Sequence, residues 1–303
     1  MSRDAAAWRQ YWADGGGQDA VTAGKAGHAL EQVWRSRLSA LQAVPARIVD
    51  LACGLGPTSR AVRVVFGAAP QLVACDIADV AAANAASQSA GLAVAADSSR
   101  LSFKDGAFDL VVSQFGLEYA GAGAFAEAGR VLTDGGAGLA VVHMAGGSIE
   151  RECAQNLEIL DAILSARLLE AARDAVVHGR PRDLAGEGRL RSIAAASNAL
   201  PNAAAARFAA AIAPDLARLA ARPNAFDPVE ATAYLDAQAH AVKAYHDRMA
   251  SMTRAALDSN AACKALAAIS RNRASELTTL SGPNGDYAWL MAVGEACASP
   301  QEA

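Results

Sequence analysis

From residue 46 to residue 147 the chain alternates short apolar runs with stretches of helical character. The runs are ARIVDLA (46–52), QLVACDI (71–77), GLAVAAD (91–97), FDLVVSQ (108–114) and GLAVVHM (138–144). None shows the polar alternation of a strand with one wet face, so they predict strands covered on both faces, as in a parallel sheet. Residues 58–69, 80–90 and 124–132 between them carry helical character. Strand and helix in alternation predict a doubly wound α/β sheet.

The texture changes over residues 149–274. Leu157, Leu160, Leu164 and Leu168 recur at three- and four-residue steps, which predicts an amphipathic helix. Further helical segments follow, broken by GRPRD (179–183), Pro201 and RPNAFDP (222–228), with no strand-like run among them. This stretch is expected to be an α-helical insertion or cap. Strand texture then returns at ELTTLS (276–281) and YAWLMAVGEA (287–296), joined by GPNGD. The Asn284-Gly285 pair favours a tight hairpin turn, so the second of these strands should run against the first. The expected domains are therefore 1–148 with 275–303, and the insertion 149–274.

Composition narrows the class without naming a function. A chain of 303 residues that is 53% hydrophobic and 19% charged reads as globular. Its net charge of −4 lacks the basic surplus of a protein that grips phosphates, which argues against a nucleic-acid partner. The five cysteines are scattered, with no C-x-x-C pair or Cys/His cluster, so no metal site is expected. They read as reduced thiols. No apolar stretch approaches a membrane span or a signal peptide, and a cytoplasmic location is the expectation.

The densest local signal is VDLACGLGPTSRAV (49–62). A strand ends at Asp50, a turn carries Gly54 and Gly56, and a helix begins near Thr58. Glycine lets a backbone approach a ligand, and a helix N-terminus favours negative charge. The same turn occurs in NAD-binding domains, although Ser59 stands where the dinucleotide fingerprint wants a third glycine. Asp76 ends the next strand, where a carboxylate is placed to accept from ribose hydroxyls. Asp97-Ser98 ends the third.

The order and spacing of VDLACGLG, ACD, AADSSRLSFKDGAFDLVVSQFGLEY and GRVLTDGG through GLAVVHM, with the closing YAWLMAVGE, resembles the class I S-adenosylmethionine-dependent methyltransferase family. The resemblance implies a Rossmann-like seven-stranded, mostly parallel sheet with the last strand antiparallel, plus the helical insertion after the fifth strand. It implies S-adenosylmethionine as cofactor and transfer of its methyl group to a small organic acceptor. Asp50, Gly54 and Gly56 would form the loop on the methionine side. Asp76 would hold the ribose, Ile77 would pack on the adenine, and Asp97 and Ser98 would sit at its edge. Ser113 and Gln114 would face the methionine portion. In many members an aromatic from an N-terminal helix covers the cofactor. Within WRQYW (8–12), Tyr11 is the expected one, with packing in a capping helix as the plainer role.

Methyl transfer from a sulfonium needs alignment first, and a base only where the acceptor must lose a proton. His143 and Glu118, just beyond the fifth and fourth strands, are the catalytic candidates, with hydrogen-bonded structural roles as the bland alternative. In the family, insertions after the fifth strand sit above the acceptor side. The 149–274 helices are therefore expected to roof a small-molecule pocket, to supply a homodimer interface, or both. Three rival readings stay open: a methyltransferase-like protein that binds the cofactor in a non-methylating or regulatory role, a nicotinamide-dependent oxidoreductase, and a non-enzymatic interaction module.

Overall fold

The computed structural model describes residues 8–12 and 24–297, with side chains from residue 28 onward in the second of these stretches. Seven strands form one sheet: β1 (Arg47–Leu51), β2 (Gln71–Asp76), β3 (Leu92–Ala95), β4 (Phe108–Gln114), β5 (Leu132–His143), β6 (Ser275–Gly282) and β7 (Gly285–Val293). Their order is β3-β2-β1-β4-β5-β7-β6. The first five pair in parallel, and β7 runs antiparallel to both β5 and β6. This is the mixed sheet that the terminal hairpin and the family resemblance both implied.

The strand runs lack polar alternation because apolar layers cover both faces. On β1, Val49 and Leu51 join a cluster with helices Ala122–Val131 and Ser259–Ser270. Its neighbour Ile48 points the other way, into a cluster with Trp34 and Leu38 of helix Gly24–Ser39 and Ala61 and Val62 of helix Pro57–Phe66. A side-chain period of two with apolar residues at every step gives this two-sided burial.

Strand order reverses between β1 and β4, each neighbouring the other, with β2 and β5 on the outer sides. Ligands of open α/β sheets bind at such a switch point, beyond the carboxyl ends of the strands. The tips of β1, β2 and β4 therefore define where a site can form.

The chain divides into two compact units, Met1–Glu150 with Ala255–Ala303, and Arg151–Arg254. The second contains helices Leu168–His178, Arg189–Ala199 and Ala204–Ala221, with most of Ser148–Ala166 and Pro228–Ala255. Its C-terminal limit falls short of the expected residue 274. Helix Ser259–Ser270 belongs to the first unit because Ala262, Ala265, Leu266 and Ile269 pack in the sheet's own core.

The leucine stripe also differs from the expectation. Cys153, Asn156, Ile159, Leu160 and Ile163 form the buried face of helix Ser148–Ala166, whereas Leu164 is exposed. The helix ends at Ala166, Arg167 takes a left-handed conformation, and Leu168 starts the next helix. One leucine spacing thus ran across a break that no glycine or proline marked. Among the described residues, no helix is long and apolar enough to cross a membrane.

Candidate functional site

The tip of β1 anchors the following helix. Asp50 is fully buried, and its Oδ2 accepts from the Ser59 backbone N–H (2.9 Å), the Ser59 hydroxyl (2.7 Å) and the Thr58 hydroxyl. These donors lie in the first turn of helix Pro57–Phe66, whose early N–H groups need acceptors. Its Oδ1 is buried without a hydrogen-bond partner. Burial pushes the Asp50 carboxyl up to about 6, against the opposing pull of its Thr58 and Ser59 hydrogen bonds. Asp50 does not line the cleft, so its place is behind the loop that the sequence assigned to it.

The two glycines of the turn both adopt positive φ, +51° at Gly54 and +70° at Gly56. Their missing side chains admit protein groups. A Cβ on Gly54 would fall 2.9 Å from the Trp12 ring, and one on Gly56 would fall 2.8 Å from the Ala85 Cβ. The close approach expected here is made by Trp12 and Ala85, and the Gly56 N–H donates to the Cys53 carbonyl at 2.7 Å. The Gly54 N–H donates to Asp76 Oδ2 at 2.9 Å and ties the first strand tip to the second.

Asp76 lies at the carboxyl end of β2, 5% exposed, and lines a cleft of about 260 Å³. The Ala78 N–H donates to its Oδ1 at 2.9 Å. A carboxylate has about four acceptor sites, so these donors leave capacity for a ligand. Burial raises its pKa, and the hydrogen bonds from Ala78, Gly54 and Ile77 oppose the rise. Ile77, Asp97 and Ser98 line the same cleft. Asp97 Oδ1 accepts from the Ser99 N–H (2.9 Å) and hydroxyl (2.7 Å), which fixes the loop beyond β3. The structure therefore brings Asp76, Ile77, Asp97 and Ser98 together.

It places Ser113, Gln114 and Tyr11 elsewhere. The Ser113 hydroxyl donates to the Leu51 carbonyl (2.8 Å), inside the sheet. Gln114 turns to helix Gly24–Ser39, where its Oε1 accepts from the Trp34 indole N–H (2.6 Å). The residues that do reach the cleft come just after β4, Phe115 and Gly116. A Cβ on Gly116 would lie 2.5 Å from the Ala52 Cβ, so only glycine lets the β4 tip close against the β1 turn. Around residues 8–12, Trp8 and Trp12 line the cleft and Tyr11 does not. Trp8 and Trp12 are four residues apart, on one helix face, and that spacing was the available signal. Trp8 also meets Tyr119, another cleft residue, with ring centroids 4.9 Å apart. Arg9 donates to the Ile77 carbonyl at 3.0 Å and pins this segment to the second strand tip.

Glu118 and His143 form a buried pair. Glu118 Oε1 accepts from the His143 backbone N–H at 3.1 Å and faces the ring Nδ1 at 2.8 Å. Their side chains are 0% and 3% exposed. The Phe115 ring lies 4.3 Å from the imidazole, tilted by 31°, and Tyr119 meets it edge-on at 5.8 Å. The pair thus sits one side chain behind the cleft wall.

Cys53 and Cys75 lie near the strand tips, where burial pushes both thiols up, Cys75 to about 12. Neither supplies a thiolate nucleophile at neutral pH. Among the described residues, no three His, Cys, Asp or Glu side chains are grouped to hold a metal ion.

Residues 49–140 match the family model described as a methyltransferase domain. The chain is also similar to several solved structures. One is Haemonchus contortus phosphoethanolamine N-methyltransferase 2 with phosphomonomethylethanolamine and S-adenosylhomocysteine: 19% identity, 48% of this chain and 34% of that chain, TM-score 0.36. Another is geranyl diphosphate methyltransferase with S-adenosylmethionine: 16% identity, 39% and 49% of the two chains, TM-score 0.33. A third is an S-adenosylmethionine-dependent methyltransferase from Aquifex aeolicus: 12% identity, 38% and 72%, TM-score 0.31. The chain spans about half or less of the first two. No curated protein matches the chain at a significant level. The match to the methyltransferase-domain family model begins within β1 and ends within β5.

Proposed function

We propose that the chain transfers the methyl group of S-adenosylmethionine to a small organic acceptor with an oxygen or nitrogen nucleophile. The observation that carries this is the convergence of two strand-tip carboxylates, Asp76 and Asp97, on one cleft beside the glycine turn. The residues fit the group. Asp76 would accept from a ribose hydroxyl through its remaining acceptor capacity. Ile77 would pack on the adenine, with Asp97 and Ser98 at the adenine edge. Gly54 and Gly56 would shape the methionine side, and Trp8 and Trp12 take the covering role first expected of Tyr11. Asp50, Ser113 and Gln114 support these residues from behind.

When bound, the cofactor supplies an electrophilic methyl on a sulfonium. The chain's own contribution is alignment and exclusion of water by Trp8, Trp12, Phe115 and Tyr119. A small aromatic-walled cleft and a net charge of −4 suit a small molecule better than a nucleic acid. A cytoplasmic location and a homodimer formed through the helical insertion belong to the same proposal. Sedimentation at micromolar concentration checks the dimer, which a monomer mass would remove.

Incubation with methyl-labelled S-adenosylmethionine and a set of small alcohols, phenols and amines tests the activity. Label is expected in a methylated product. Tight cofactor binding with all label left on the cofactor would contradict transfer and favour a binding role.

A further inference from the structure

We infer that His143, oriented by Glu118, takes the proton from a hydroxyl-bearing aromatic acceptor, a phenol in the simplest case. This rests on the methyl-transfer reading and narrows its acceptor.

The geometry begins with one oxygen that accepts twice. Glu118 Oε1 receives the His143 backbone N–H and faces its ring Nδ1, fixing the residue at both ends. An ionised carboxylate can only accept, so it places the ring proton on Nδ1 and leaves Nε2 as a bare lone pair. Nε2 is buried, and among the described residues it has no hydrogen-bond partner. Glu118 Oε2 is in the same condition. Buried polar atoms without partners are uncommon and costly, and two on one hydrogen-bonded pair ask for a ligand. A packing histidine would have spent Nε2 on a neighbour.

The surroundings indicate what that ligand is. The imidazole is flanked by Phe115 and Tyr119, both of which also line the cleft. The Phe115 ring, tilted 31° to the imidazole, would have to move aside to admit a ligand. A neutral O–H enters such an aromatic chamber at less desolvation cost than an ammonium. An aromatic acceptor can also replace the ring contacts it disturbs. In the step itself the acceptor O–H bond breaks and its proton forms an N–H bond on Nε2. The freed oxygen pair forms the C–O bond as the methyl–sulfur bond breaks and its electrons stay on sulfur. The carboxylate of Glu118 stabilises the resulting imidazolium, which makes Glu118 a positioning residue for His143.

The test reads the ring directly. Nitrogen-15-labelled protein is first titrated with S-adenosylhomocysteine by calorimetry, then examined at neutral pH by long-range proton–nitrogen NMR. The His143 signals are assigned by their loss in His143→Gln. The expected wild-type spectrum has a protonated Nδ1 and a bare Nε2, and saturating phenol shifts the Nε2 resonance. Glu118→Ala is expected to release the ring to the Nε2-protonated form while S-adenosylhomocysteine affinity changes less than twofold. A proton on Nε2 in the wild-type protein, or an Nε2 resonance unmoved by phenol, overturns the inference. Failure of the wild-type protein to bind S-adenosylhomocysteine in the first titration would instead overturn the cofactor reading, and the tautomer would still report on the pair.

Discussion

Two aspartates at neighbouring strand tips do different work because their side chains face different partners. Asp50 turns to the first turn of helix Pro57–Phe66, and Asp76 turns to the cleft. The sequence located both at strand ends but carried no sign of this turn, since both follow apolar runs and precede a loop. For Asp50 the folded-state pKa of about 6 exceeds the ordinary 3.8. Between those values the folded state holds more protons than the unfolded state, so this group lowers stability as pH rises through the window. At about 1.4 kcal/mol per unit, the full effect is on the order of 3 kcal/mol. Asp50→Asn, with its carbonyl oxygen facing Thr58 and Ser59, is predicted to flatten the loss of stability between pH 4 and pH 6. Urea unfolding across that range checks it, and an unchanged slope relative to wild type would contradict the assignment.

At the scale of elements, the site is a set of loops brought together by close approach. Gly116 is the clearest case, because its φ of −141° suits any residue and the constraint is contact with Ala52. Gly116→Ala is predicted to destabilise the protein by about 1–3 kcal/mol through overpacking at the junction of the β1 and β4 tips. Denaturant unfolding gives the figure, and a neutral result would mean the junction yields easily. The helical stretch 8–12 presents Trp8 and Trp12 to the same cleft. Cofactor binding is therefore expected to change tryptophan emission, with the change lost in the Trp8→Phe, Trp12→Phe double variant. An equal change in that variant would locate the signal at Trp34 or Trp289. The strands were readable from apolar runs, and the antiparallel closing strand from the hairpin turn and the family resemblance. The pairing of loops beyond the strands was not, because it depends on three-dimensional contacts such as Gly116 with Ala52 and Gln114 with Trp34.

For the whole molecule, one sheet is built from two separated pieces of sequence. The switch in texture near residue 149 falls beside the boundary between the two compact units at Glu150, where the helical stretch begins. Its end was hidden because helix Ser259–Ser270 is helical in pattern yet packs on the sheet. The consequence is that the first unit needs its C-terminal piece. Truncation after Arg254 would remove Leu266, Ile269, Leu290, Met291 and Val293, all buried. At about 1.5–3 kcal/mol each, their loss approaches or exceeds the roughly 5–15 kcal/mol that holds a domain together. The truncated chain is predicted to lack a cooperative thermal transition, and a sharp transition in calorimetry would show β1 to β5 standing alone.

The central claim is that Asp76, at the switch point of the sheet, holds the cofactor's ribose. Titration calorimetry of S-adenosylhomocysteine against the wild-type protein and Asp76→Ala tests it most directly. The predicted result is saturable binding by the wild type, weakened by roughly 1.5–3 kcal/mol in the folded variant, the scale of hydrogen bonds to a charged group. Equal affinity in the two proteins, or binding of NAD in place of S-adenosylhomocysteine, would contradict the account.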